Sequence, residues 1–146
     1  MSRKQIEVLL VEDNPYDAKL TKRALKKVDI DKHLFTVKDG EEALDFIFCQ
    51  HDYADRKNES PLKLILLDLK LPKVTGLEVL EKIKSDRRSR SIPVVVLTSS
   101  DQDKDIMKSY SLGANSYIVK PVELKDFIYT VEKIGIYFLE LNKTLT

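Results

Sequence analysis

The sequence predicts an α/β fold, a doubly wound five-stranded parallel sheet with helices on both faces. Three observations predict it. Five short apolar runs alternate with amphipathic segments along the 146 residues. Most of the runs are nearly continuous in apolar residues, the pattern of strands buried on both faces. Each strand is followed by a polar stretch and a helix, the rhythm of βαβ units.

The first strand is predicted over Ile6–Val11 (IEVLLV), with Glu12 and Asp13 at its end. Asn14-Pro15 then starts a helix, Asn14 as cap and Pro15 at the first helical position. Ala18, Leu20, Ala24, Leu25 and Val28 form its stripe. His33–Val37 is the second strand. Asp39-Gly40 turns the chain into a helix marked by Ala43, Leu44, Ile47 and Phe48. Gln50–Pro61 (QHDYADRKNESP) reads as a surface loop insertion.

Leu62–Leu67 is the third strand, closing on Asp68, and Gly76–Ser85 the third helix. Ile92–Leu97 is the fourth strand, closing on Thr98, and Asp101–Leu112 a fourth helix stopped by Gly113. Ser116–Val119 is the fifth strand, closing on Lys120-Pro121. An extended last helix begins near Glu123. Leu124, Phe127, Ile128, Val131, Ile134 and Phe138 give it a core stripe.

Composition narrows the function. Lys and Arg total 25 against 24 Asp and Glu, a net charge of +1. That balance argues against a nucleic-acid partner, which needs a concentrated basic face. The single cysteine, Cys49, excludes an internal disulfide and suits a reducing, cytoplasmic setting. It ends an apolar run and reads as a small core residue. His33 and His51 lack metal-ligand spacing and read as surface residues. The opening apolar run is too short for a signal peptide or a membrane span, so no membrane partner is expected. Residues 1–146 read as one domain, with no room for a separate output module.

In an open parallel sheet, ligands bind beyond the carboxyl ends of the strands. Here those ends carry Glu12, Asp13, Asp68, Thr98 and Lys120. Three clustered carboxylates repel one another, and a hard divalent cation such as Mg²⁺ resolves the repulsion. A hydroxyl and an ammonium suit the oxygens of a phosphoryl group. A carboxylate can itself accept that group as an aspartyl-phosphate. Asp68 is the best candidate, since Glu12 and Asp13 work as a metal-binding pair.

Four motifs then carry a family resemblance: VEDNP (Val11–Pro15), LLDLKLPKVTG (Leu66–Gly76), VVVLTSS (Val94–Ser100) and YIVKP (Tyr117–Pro121). Thr98 follows Asp68 by 30 residues and Lys120 follows Thr98 by 22. In this order and spacing the chain resembles the response-regulator receiver domains of two-component signalling over essentially its whole length. The resemblance implies strand order 2-1-3-4-5 and Asp68 as acceptor of a phosphoryl group from a histidine kinase or phosphotransfer protein. It implies Mg²⁺ held by Asp13, Glu12, Asp68 and the backbone carbonyl of Lys70. Thr98 would close on the phosphoryl group and Lys120 would pair with it. Tyr117 would be the switch aromatic, and the Lys120–Pro121 bond would be cis. Glu12 replaces the commoner aspartate, and Lys70 and Ser100 occupy positions that influence phosphoryl lifetime.

DGEEALDFIF, the insertion containing HDYADR, LILLDLKLPK and IPVVVLTSS further resemble the stand-alone regulators of phytochrome-type histidine kinases. Other functions compete with this switch; a flavin-binding module is disfavoured because Glu12 and Asp13 would repel the cofactor phosphate after the first strand. A Mg²⁺-dependent aspartyl-phosphate phosphohydrolase commonly has a second aspartate two residues after its nucleophile at the first strand, and none follows Asp13 at that offset. A receiver-like interaction module that is never phosphorylated would keep the fold without the chemistry. The protein is expected to turn over no external substrate and to act through an unknown downstream protein. Tyr129, Ile136 and Leu139 form a second apolar flank on the last helix. With the fourth helix and fifth strand it is expected to form a homodimer or partner surface.

Overall fold

The computed structural model describes residues 5–59 and 61–144. The sequence readings that fall on residues 1–4, on Ser60 and on the last two residues lie outside the described residues. Five strands, β1 (Val8–Val11), β2 (Leu34–Val37), β3 (Leu64–Leu67), β4 (Val94–Thr98) and β5 (Ser116–Val119), form one sheet in the order β2-β1-β3-β4-β5. Every pairing is parallel, and β1 lies in register with both β2 and β3. Five helices connect and cover them: α1 (Pro15–Lys27), α2 (Gly40–Ile47), α3 (Gly76–Ser85), α4 (Asp103–Ser111) and α5 (Leu124–Ile136).

Side chains alternate across a strand, so each apolar strand feeds two cores. Leu9, Val11, Ile65, Leu67, Val94 and Val96 meet Phe46 of α2 and Val79, Leu80 and Ile83 of α3. Val8, Leu10, Leu64, Leu66, Val95 and Leu97 meet Leu25 of α1 and Phe127 and Val131 of α5. Burying one such side chain contributes about 1.5–3 kcal/mol. This two-sided burial explains why β1, β3 and β4 read as unbroken apolar runs.

Helix starts follow their caps. Asn14 Oδ1 accepts from the N–H groups of Tyr16 and Asp17, with Pro15 at the first helical position. Asp39 caps α2 through the N–H of Glu42. Thr75 and Glu78 form a reciprocal capping box on α3.

The structure corrects several expectations. β1 and β3 each begin two residues later than predicted, although Glu7 already bonds His33 and Leu64 through its backbone. The predicted surface loop is largely helical: His51–Asn58 forms 3-10 turns that meet at a kink at Tyr53. Arg56, only 5% exposed, holds this segment down. Its guanidinium lies 3.6 Å from the centroid of the Phe46 ring and donates to the Phe46 carbonyl. Tyr53 donates to Glu42 Oε2 at 2.6 Å and packs edge-on against Phe35 and Phe46.

Cys49 is not a core residue. α2 ends at Ile47, and Cys49 adopts a left-handed backbone (φ 55°) as the chain leaves the helix, half-buried. Leu124 is exposed because it opens α5, beyond the sheet it would cover. Leu139 of the supposed free flank packs against the α1–α5 core, where α5 widens into π-helical spacing over Tyr137–Leu141. The Lys120–Pro121 bond is trans. The Lys120 N–H bonds the Thr98 carbonyl at 2.7 Å, and its ammonium reaches three carboxylates.

Gly76 lets α3 start directly over the end of β3. A Cβ there would stand 2.3 Å from the Asp68 carbonyl oxygen and 2.5 Å from Leu69 Cα. Both are backbone atoms that cannot swing aside. Gly76→Ala should therefore lower unfolding free energy by about 1–3 kcal/mol in urea titration, the usual cost of overpacking. An unchanged midpoint would contradict the close approach.

Candidate functional site

The parallel sheet brings the carboxyl ends of β1, β3, β4 and β5 to one edge. All the strand-end residues singled out from the sequence meet there. Glu12 and Asp68 are buried and Asp13 is exposed, with carboxylate oxygens from all three within 4.8 Å of one another. Thr98 is fully buried at the end of β4, and its hydroxyl donates to Asp68 Oδ1 at 2.8 Å. The Lys70 N–H reaches the same oxygen at 3.2 Å. Lys120 Nζ donates to the other oxygen of Asp68 at 3.0 Å and to Glu12 Oε1 at 2.8 Å.

One residue escaped the sequence reading. Asp17, in the first turn of α1, takes a third hydrogen bond from Lys120 Nζ at 2.8 Å. The available signal was an aspartate three positions after the Asn14 cap. An acid there also complements the helix dipole, so nothing local pointed toward Lys120.

Electrostatics distinguishes the carboxylates. Burial pushes Glu12 up to about 7, and the Asp68 charge adds to it, against hydrogen bonds from Lys120 and the Asn14 N–H. Burial also opposes ionisation of Asp68. The Lys120 charge, with hydrogen bonds from Lys120, Thr98 and Lys70, overcomes it and holds Asp68 below its ordinary value. Burial disfavours the Lys120 ammonium too, but bonds to Asp17 and Glu12 and the charge of Asp68 raise its pKa. At neutral pH the edge thus holds an ionised Asp68 and a Glu12 on the border of ionisation.

The donor chemistry fits a hard divalent cation. Three carboxylates offer oxygens only, two of them from inside the fold and one at the solvent mouth, which leaves room for water ligands. An ionised Asp68 carboxylate, one oxygen held by a hydroxyl and the other by an ammonium, also carries the charge that attack on phosphorus needs.

Farther along the edge, Tyr117 is half-buried beside the α2–α3 core. Its hydroxyl donates to the Ser100 carbonyl at 2.8 Å, and its N–H donates to the Tyr110 hydroxyl at 3.1 Å. The Ser100 hydroxyl donates to Asp105 Oδ2 at 2.5 Å. The segment after Thr98 is therefore tied to both α4 and β5. Among the described residues, no helix is long and apolar enough to cross a membrane.

The "Response regulator receiver domain" family model matches residues 8–132. The chain is 43% identical to "Probable methanogenesis regulatory protein FilR2" of Methanothrix harundinacea, covering 94% of this chain and 86% of that one. It is 42% identical to "Response regulator Rcp1" of Synechocystis, covering 91% and 88%. A solved Mn²⁺-bound form of Rcp1 superposes with a TM-score of 0.87, at 40% identity over 95% of this chain and 98% of that one. The phosphorylated cyanobacterial phytochrome response regulator RcpA superposes with a TM-score of 0.89, at 39% identity over 97% and 99%.

The raised pKa of Glu12 has a stability consequence. Between about 4.5 and 7 the folded chain keeps a proton on Glu12 that the unfolded chain has lost. Stability from this group is therefore full below 4.5 and is lost as pH rises through 7. Thermal unfolding without divalent cation should show Glu12→Gln stabilised relative to wild type above pH 7 and the gap closing toward pH 4.5. A gap independent of pH would contradict the assignment.

Proposed function

The chain belongs to the response regulator receiver family, and from that premise we propose that Asp68 is its phosphoryl acceptor. The supporting observation is the pair of hydrogen bonds that grip the two oxygens of Asp68 from opposite partners, Thr98 and Lys120. An ionised oxygen of Asp68 attacks the phosphorus of a phosphohistidine. The new O–P bond forms, the P–N bond breaks, and the imidazole leaves with the electron pair. Thr98 then gives its hydrogen bond, and Lys120 one of its three, to phosphoryl oxygens.

Mg²⁺ is the cation proposed at Glu12, Asp13, Asp68 and the Lys70 carbonyl; when bound it would supply positive charge against the transferring group. The solved Mn²⁺-bound form of Rcp1 supports a divalent cation here by likeness. The proposed partners are a sensor histidine kinase, phytochrome-type by the likeness to RcpA, and a downstream protein in the cytoplasm. No external substrate is turned over in this reading, which sets it apart from a phosphohydrolase. Residues 1–146 are proposed to act as one receiver domain.

Phosphorylation favours one of two arrangements of the same chain. Thr98 is two residues from Ser100, and Ser100 binds both Tyr117 and Asp105. A shift of Thr98 toward the phosphoryl group thus reaches α4 and β5 through Tyr117, the proposed switch residue. Met107, Tyr110, Val119 and Val122 are exposed along this face, Val122 at 99%, and support a homodimer through α4, β5 and α5.

Purified protein with Mg²⁺ and acetyl phosphate should take up one acid-labile phosphoryl group. Asp68→Asn should take up none, and equal labelling of that variant would sink the assignment. Sedimentation of the free and beryllofluoride-treated chain tests the dimer, and monomers in both states would exclude it.

A further inference from the structure

An ammonium has three N–H donors. Those of Lys120 go to Glu12 Oε1, Asp17 Oδ2 and Asp68 Oδ2. The three partners differ in what else is asked of them. Glu12 and Asp68 belong to the carboxylate cluster that can hold a cation, and Asp68 is also the acceptor. Asp17 stands outside that cluster. Its backbone is fixed at both ends: its N–H donates to Asn14 Oδ1 at 3.1 Å, and its carbonyl accepts from Thr21 Oγ1 at 2.8 Å. A capped helical turn therefore presents this carboxylate to Lys120 from a set position.

We propose that Asp17 is a positioning residue for phosphoryl uptake, anchoring the Lys120 ammonium beside Asp68 while Glu12 is drawn to the cation. The proposal rests on the reading of Asp68 as acceptor. In the transfer, an Asp68 oxygen bonds to phosphorus, the bond from phosphorus to the leaving atom breaks, and the leaving group carries away its electron pair. During that step the N–H of Lys120 that faces Asp68 Oδ2 turns to a phosphoryl oxygen. Lysine has a flexible four-carbon stem. With Asp17 in place the ammonium rotates about a held position; without it, the ammonium keeps only Glu12 and Asp68, the two partners that the cation also draws on.

Asp17 also has an opposing effect, since an extra acid weakens the pull of Lys120 on the phosphoryl group. The magnitudes favour positioning. A misplacement of about 1 Å can cost roughly 100-fold in rate, whereas one partly exposed ion pair changes an equilibrium by less than about fivefold.

The test uses the whole chain, acetyl phosphate and Mg²⁺. Asp17→Asn should lower the uptake rate at saturating donor about tenfold, the scale of one charge-assisted hydrogen bond. The half-saturating donor concentration should change little, and Asp17→Glu should recover most of the rate. In the cation-free protein, urea unfolding of Asp17→Asn, Lys120→Met and the double variant should be non-additive, since the two side chains touch. Equal uptake by wild type and Asp17→Asn overturns the proposal, as does full additivity in unfolding. A slowed Asp17→Asn that Asp17→Glu does not rescue also overturns it, since a carboxylate on the longer stem should still reach a flexible lysine. A wild-type chain that takes up no phosphoryl overturns the Asp68 reading itself, and this one with it.

Discussion

Lys120 reaches from the end of β5 to carboxylates supplied by the end of β1, the first turn of α1 and the end of β3. Two of these acids come from one short stretch and the third from a strand far along the chain, and they would otherwise repel one another. Buried charges are tolerated only when paired and hydrogen-bonded. A single ammonium therefore decides whether this sheet edge can close at all. Three carboxylates share this one positive charge, and Glu12, pushed up mainly by burial and further by the charge of Asp68, is the one left on the border of ionisation.

The polar ties next to this edge matter because α4 is thinly packed. α5 buries Phe127, Ile128, Val131 and Ile134, while α4 buries only Ser109, whose hydroxyl has no partner among the described residues. A net hydrogen bond contributes about 1 kcal/mol, less than a buried leucine or phenylalanine. The bonds through Ser100, Asp105, Tyr110 and Tyr117 therefore form a large share of what orients α4. An element held this way can be reoriented at modest cost, whereas α1 and α5 are locked to the sheet by apolar contact.

Much of this was legible in the sequence because its causes are local. The Asn14 cap, the turn at Asp39-Gly40, the bounds of α3 and β5, and the strand-end residues follow from capping and turn chemistry and apolar patterning. What escaped depends on tertiary contact. Asp17 finds Lys120 across 103 residues. Arg56, in a stretch rich in Asp, Asn, Lys and Ser, reads as solvent-facing until the Phe46 ring and carbonyl are placed beside it. Leu124 fits a helical stripe, but whether the sheet extends far enough to cover it is not written in periodicity.

The segment carrying Arg56 has a dynamic consequence. Loops that ride on a surface open independently and exchange their amide hydrogens within the fastest class. His51–Asn58 is instead bolted to α2 and β2 through Arg56 and through Tyr53, which packs edge-on against Phe35 and Phe46. It belongs to the same cooperative unit as α2 and the edge strand β2. Opening it would expose Phe46, a fully buried ring at the centre of one core. The insertion therefore widens the folded unit on the side of the sheet away from β5, and leaves the α4–β5 end as the less cooperative half of the molecule.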